Sequence, residues 1–254
     1  MKDTMDEKTT PPELKLSWLT RVAMMLGLGQ ASHAMRHSMT REQLEDEFEN
    51  VVRQRIPDEC RDGDILPLLF YPDPMLKTPS ATVKVFNEDL RLLVKAMGAT
   101  MYMTGGVGLS AIQVGVPLRV FVADMRDLHD QKESKFRVFV NPVVLDVGYP
   151  EEKMVEGCLS IPNVREQITR PSTVHLCAET ERGQTFDAKL TGWPARIFLH
   201  EMEHLEGGLF IDNVSGLARR MIEKRAAKLR KSVKLDEING KRHAVMRNGK
   251  GRGR

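Results

Sequence analysis

The stretch "LHEMEHLEGG", residues 199–208, constrains this chain more than any other. His200 and His204 stand four apart, with Glu201 directly after the first. In a helix, positions i and i+4 share one face about one turn apart, so both imidazoles come within reach of a single metal ion. Glu201 then projects beside that ion without ligating it, where a carboxylate can move protons. The surroundings read as a helix. Pro194 suits a first turn and Gly207-Gly208 an end, while Ile197, Phe198, Leu205 and Leu209 supply apolar positions that would bury it. An amphipathic surface helix with two incidental histidines is the plainer reading, and a five-residue pattern is only moderately specific.

A catalytic metal normally takes three protein ligands and leaves a fourth position open. Three acids follow the histidines. Glu206 points off the metal face, Glu223 lies in the basic run "ARRMIEKRAAK", and Glu237 has no better context. Upstream, Cys158 in "EGCLSIP" reads as a turn leading to a strand end and is the better donor, although most free cysteines are simply small buried hydrophobes.

The rest of the chain frames these segments. The 254 residues, 41% hydrophobic and 29% charged, suit one globular domain with extensions. Three cysteines without regular spacing, Cys60, Cys158 and Cys177, do not look like a disulfide framework and fit a reducing compartment. No apolar run reaches the ~18–20 residues of a membrane span. Net charge is only +3, yet from Ser215 onward fourteen Lys/Arg face three Asp/Glu. A basic tail on an otherwise acidic chain points to a polyanionic neighbour.

Residues 14–41 contain no acid and carry Lys15, Arg21, Arg36 and Arg41, which reads either as an organelle transit peptide or as a surface helix. Thr40 and Gln43 match a capping box, and Leu44, Phe48, Val51 and Val52 give an apolar helical face. Pro57 and Gly63 mark a break. The expected division is an extension over 1–63, a catalytic domain over 64–215 and a basic tail over 216–254. Within the domain, "FNEDLRLLVKAMGATMYM" predicts a helix capped by Asn87, with Leu90, Leu93, Val94, Met97 and Met101 buried. "LRVFVAD" (118–124), "FRVFV" (136–140) and "STVHLCA" (172–178) predict strands. In the tail, Leu217, Met221 and Leu229 leave a thin apolar stripe among seven cations. Such a helix is expected to gain little from docking on its own domain and more from meeting phosphates.

A third segment, "GGVGLSAIQVGVP" (105–117), is glycine-rich but lacks the Lys-Ser/Thr of a phosphate loop. Taken in order, G-x-G-L-x-A-x-Q, E-G-C-L-S and H-E-x-x-H closely resemble the peptide deformylase family over about residues 65–214. "VNP" (140–142) and "LFID" (209–212) stand at fitting places. One such motif would be weak; three in order are highly specific.

The resemblance implies an α+β fold, with mixed or antiparallel sheets around a central H-E-x-x-H helix and a helical basic tail. It implies one divalent metal on Cys158, His200 and His204: Fe²⁺ is expected, and Zn²⁺ or Ni²⁺ suits the same donors. The implied reaction is hydrolysis of the formyl group from N-formylmethionine at the start of a new polypeptide. A bound metal can lower the pKa of water from ~16 to about 7. Glu201 would relay the proton, and the side-chain amide of Gln113 with the backbone N–H of Leu159 would stabilise the oxyanion. Gly106, Val107 and Gly108 would pair with an extended substrate, and Val107, Met154, Trp193 and Ile197 are candidates to line a methionine pocket.

Three positions depart from the family pattern. Leu199 replaces the usual Gln, Glu203 the usual Asp and Ser110 the usual Ala. None removes a ligand or Glu201. Arg170 holds the place of the arginine that usually meets the Asp. Two other readings compete with an active deformylase: a ribosome-associated factor of this lineage with weak or no catalysis, favoured by the basic tail, and a general metallopeptidase, which leaves two motifs unexplained. A tail contact with ribosomal RNA is the expected partner interaction. A mitochondrion is the expected location, with the bacterial cytoplasm or another organelle as the alternative.

Overall fold

The computed structural model describes residues 58, 60–126, 135–224 and 226. The acid-free section 14–41, the helix expected after Thr40 and the tail beyond residue 226 lie outside the described residues. Five antiparallel strands form one sheet in chain order: β1 (Gly108–Ser110), β2 (Val120–Asp124), β3 (Phe136–Cys158), β4 (Ile161–Glu179) and β5 (Thr185–Thr191). The described strands form this single sheet, and its ladders are all antiparallel. Among the described residues, the parallel pairing allowed for in the sequence is an isolated bridge between Ala81 and Leu118.

β2 explains how the sheet is buried. Its sequence, VFVAD, is apolar on both faces, as a strand covered from both sides requires. Val120 and Val122 meet helix α1 (Glu88–Met103), which lays Leu90, Val94, Met97 and Met101 against them. On the other side, Phe121 and Ala123 meet helix α2 (Gly192–Leu205) through Ala195, Ile197, Phe198 and Leu205. The rings of Phe121, Phe139 and Phe198 cluster there, with Phe121 and Phe139 stacked at 4.7 Å. Asn87 caps α1 by accepting from the Leu90 N–H, and the methionines of α1 are core.

β3 and β4 run far beyond the segments expected from the sequence, through Pro142, Pro150 and Pro171, residues that ordinarily interrupt strands. Pro142 and Pro150 sit where the β3–β4 register shifts, between Val140 and Val143 and between Gly148 and Glu151. Pro lacks a ladder donor and is tolerated at such irregularities. At its far end β3 turns into β4 through Leu159 and Ser160, so Cys158 ends one strand and pairs with Ile161 of the next.

α2 ends as its glycines require. Gly207 adopts φ +76°, its N–H bonds the His204 carbonyl, and Gly208 N–H bonds the Glu203 carbonyl. This is a left-handed cap that a side chain resists. After it, residues 216–224 are helical. The expectation that this basic helix stays off the domain is corrected at its first turns. Ile222 is buried with Leu76, Phe210 and Ile211, while Leu217 and Met221 are exposed. Arg219 pairs with Asp212 and Glu223, and Tyr71 donates to Glu223. The apolar stripe read from Leu217, Met221 and Leu229 missed the docking residue because Ile222 stands one position off it. Among the described residues no helix is long and apolar enough to cross a membrane.

Candidate active site

Cys158 from the end of β3 and His200 and His204 from α2 converge. One donor atom from each lies within 4.8 Å of the others, near the largest separation one ion can span at ~2.0–2.3 Å per bond. His204 Nε2 is 3.3 Å from Cys158 Sγ. Its buried Nδ1 has no hydrogen-bond partner among the described residues. Burial, reinforced by the charge of His200, holds His204 well below the usual histidine range, so it stays in the neutral form a metal needs.

His200 is oriented by a carboxylate. Its Nδ1 lies 2.9 Å from Glu156 Oε2, which leaves Nε2 for the site. Burial pushes His200 down, but Cys158 and Glu156 together raise it to about 10. The Glu156 carboxylate favours any cation at this imidazole, so a proton and a metal ion compete for it. Burial alone would raise the Glu156 carboxyl. Hydrogen bonds from His200 and Arg170 overcome this and bring it to about 2.

Glu156, which the sequence reading left without a role, is the hub of a buried polar network. Arg170 Nε and Nη2 donate to its two oxygens at 2.7 and 2.9 Å, and Arg196 Nη1 donates at 2.6 Å. Arg196 also holds the carbonyls of Ile168 and Glu152. Arg170 Nη2 reaches on to Glu203 Oε2 at 2.9 Å, and Asn213 donates to the other Glu203 oxygen at 2.6 Å. Glu203 thus meets Arg170 despite its extra methylene. Two signals could have found this network. Glu156 is two residues before Cys158, on the same strand face, and Arg196 is four before His200, on the same helix face. Arg170 and Arg196 are paired with Glu156 and Glu203, which leaves Cys158, His200 and His204 as the converging donors. A donor set of two imidazoles and one thiolate fits a divalent ion.

Glu201 is buried, and burial pushes its carboxyl above the usual range. Gly108 lies so close that a Cβ there would stand 2.3 Å from Glu201 Oε1. Gln113 is buried, accepts from the Ser110 N–H at 2.8 Å, and aims its Nε2 at Cys158 Sγ, 3.4 Å away, and at Ser160 Oγ. Leu159 follows Cys158 in the turn and packs against Gly106, where a Cβ would come within 2.7 Å of its Cδ1. β1 is the sheet's edge strand, with Gly106 and Val107 just before it, so one side of this segment carries no strand among the described residues. The four pocket candidates are not gathered so clearly. Ile197 is committed to the core and Trp193 packs against the same cluster. Met154 is half-buried on β3 two residues before Glu156, and Val107 is exposed beside β1.

Comparison with known proteins points one way. Residues 65–220 match the family described as polypeptide deformylase. A peptide deformylase of Rhizorhabdus wittichii is 41% identical over 170 residues, covering 66% of this chain and 96% of that protein. One from Maricaulis maris is 42% identical over 169 residues, again covering 66% and 96%. The crystal structure of a peptide deformylase from Legionella pneumophila superposes with a TM-score of 0.61 at 35% identity, covering 67% of this chain and 98% of that one.

Proposed function

This chain belongs to the polypeptide deformylase family, and we propose that it removes the formyl group of N-terminal formylmethionine by metal-assisted hydrolysis centred on Cys158, His200, His204 and Glu201. The single observation that carries this reading is the convergence of the three donor atoms within 4.8 Å, on the helix that also presents Glu201. Bound there, a divalent ion would polarise the formyl carbonyl and lower the pKa of water to about 7.

The remaining work falls to the protein. The edge of the sheet at Gly106–Gly108 receives the peptide as an added strand, using backbone hydrogen bonds that tolerate many sequences. Gln113 Nε2 and the Leu159 N–H face the oxygen that gains charge as the carbonyl is attacked. Each such donor is typically worth on the order of 3 kcal/mol. Glu201 accepts a proton from the attacking water and passes it to the leaving amine, and its burial keeps bulk water from taking over that exchange. Fe²⁺ is the proposed ion, and Zn²⁺ or Ni²⁺ would suit the same donors.

Metal analysis of anaerobically purified protein, paired with a formyl-Met-peptide assay, tests the reading. Cys158→Ala is expected to lose the ion. Glu201→Gln is expected to keep the ion and the fold but lose nearly all turnover. Full metal retention in Cys158→Ala, or near-parent turnover in Glu201→Gln, would overturn the assignment.

A ribosome contact through the basic tail is proposed as well, supported by the fourteen cations after Ser215. Co-sedimentation of the full chain, but not of one ending at Ala226, with ribosomes at low salt is the expected result. Equal pelleting of both rejects it.

A further inference from the structure

Ser110 is fully buried at the end of β1 and touches two of the groups assigned to the chemistry, Gln113 and Glu201. Its backbone N–H donates to Gln113 Oε1, which fixes the amide so that Nε2 faces Cys158. Its hydroxyl lies 2.7 Å from Glu201 Oε2 and 3.1 Å from the Glu201 main-chain carbonyl. A serine hydroxyl has one proton to give. A carboxylate is the stronger acceptor and the shorter contact, so the proton is directed at Oε2. A Cβ at Gly108 would stand 2.3 Å from Oε1, so the missing side chain there leaves that oxygen its room. The Glu201 carboxylate is therefore held through Oε2, with Oε1 left without a side chain against it from Gly108.

We propose that Ser110 is a positioning residue for this hydrolysis. Its hydroxyl occupies Oε2 and thereby makes Oε1 the oxygen that exchanges protons with water and the leaving amine. The inference rests on the reading of Glu201 as proton carrier. Ser110 stands where the family pattern usually has alanine, and alanine fits its volume, so the hydroxyl can be deleted without opening the core.

The test compares metal-loaded full-length protein with its Ser110→Ala variant by two measurements. In hydrolysis of a formyl-Met peptide, kcat is expected to fall by roughly fivefold or more, because a misplaced proton carrier slows the chemical step. KM and metal content should stay at parent values, and the thermal midpoint should fall only modestly, as the loss of one buried hydrogen bond requires. In infrared difference spectra, the Glu201 carboxylate stretch is identified by its loss in Glu201→Gln. It is expected to shift in Ser110→Ala as the hydrogen bond disappears. An unshifted Glu201 band, or a parent-like kcat, overturns the proposal. If the parent protein itself fails to hydrolyse the peptide, the deformylase reading falls, and the infrared band alone decides the contact.

Discussion

Glu156 shows how much one carboxylate can organise. It joins His200 to two arginines, and its pKa of about 2 against an ordinary 4.5 makes that arrangement pH-dependent. The folded-state value is depressed, so the stabilisation is complete above about pH 4.5 and is lost as pH falls toward 2. At ~1.4 kcal/mol per unit, this is on the order of 3 kcal/mol. Glu156→Gln should therefore be clearly less stable than the parent at neutral pH, with the gap closing in acid because a protonated Glu resembles Gln. Denaturant titrations at several pH values measure it, and a constant gap would show that Glu156 is not ionised in the fold. Gly108 makes a second case. A Cβ there would stand 2.3 Å from Oε1 and under 3 Å from Cδ and Cγ of the buried Glu201, so Gly108→Ala displaces that side chain. It should lose about 10²-fold in turnover, since small misplacements of a reacting group have such effects. Activity within a few-fold of the parent would show that the carboxylate has room to move.

Among the elements, α2 was the most legible in the sequence, because periodicity, Pro194 and the two closing glycines all agree on one helix. α1 was legible for the same kind of reason, with Asn87 as its cap. β3 was not. Only its first five residues look like a strand. Farther along, the apolar side chains of Val143, Leu145, Val147 and Tyr149 alternate along the strand but face solvent rather than a core. Prolines and register shifts then break the period-2 pattern. The three converging donors, Cys158, His200 and His204, were legible from motif order. Of the Glu156–Arg170–Arg196 network only Arg170 was singled out, since its members are far apart in sequence and meet across β3, β4 and α2. The helix over residues 216–224 was misread at one position, and that position gives a prediction. Ile222→Ala should cost about 2–4 kcal/mol, as deletion of a fully buried aliphatic side chain does. Leu217→Ala, at an exposed site, should stay within about 0.5 kcal/mol. Equal effects in chemical denaturation would mean that the helix does not dock through Ile222.

On the scale of the whole molecule, the three converging donors come from β3 and α2 rather than from one loop. Cys158 and His204 are 46 positions apart in the chain, and β4, β5 and most of α2 lie between them. An ion shared by these residues would close that stretch of chain into a ring in the folded protein alone, because unfolding separates the donors. Because such an ion binds the folded arrangement and not the scattered donors, its free concentration also sets the folding equilibrium. At a thousandfold excess over its dissociation constant the gain is about 4 kcal/mol. A chelator should accordingly lower the thermal midpoint of the parent by several degrees and leave that of Cys158→Ala unchanged, a difference that calorimetry reads without any substrate. Identical shifts in both would place the ion elsewhere. The ion that equips this protein for hydrolysis would then also be a reversible staple, and scarcity of metal would first be felt as a loss of folded protein.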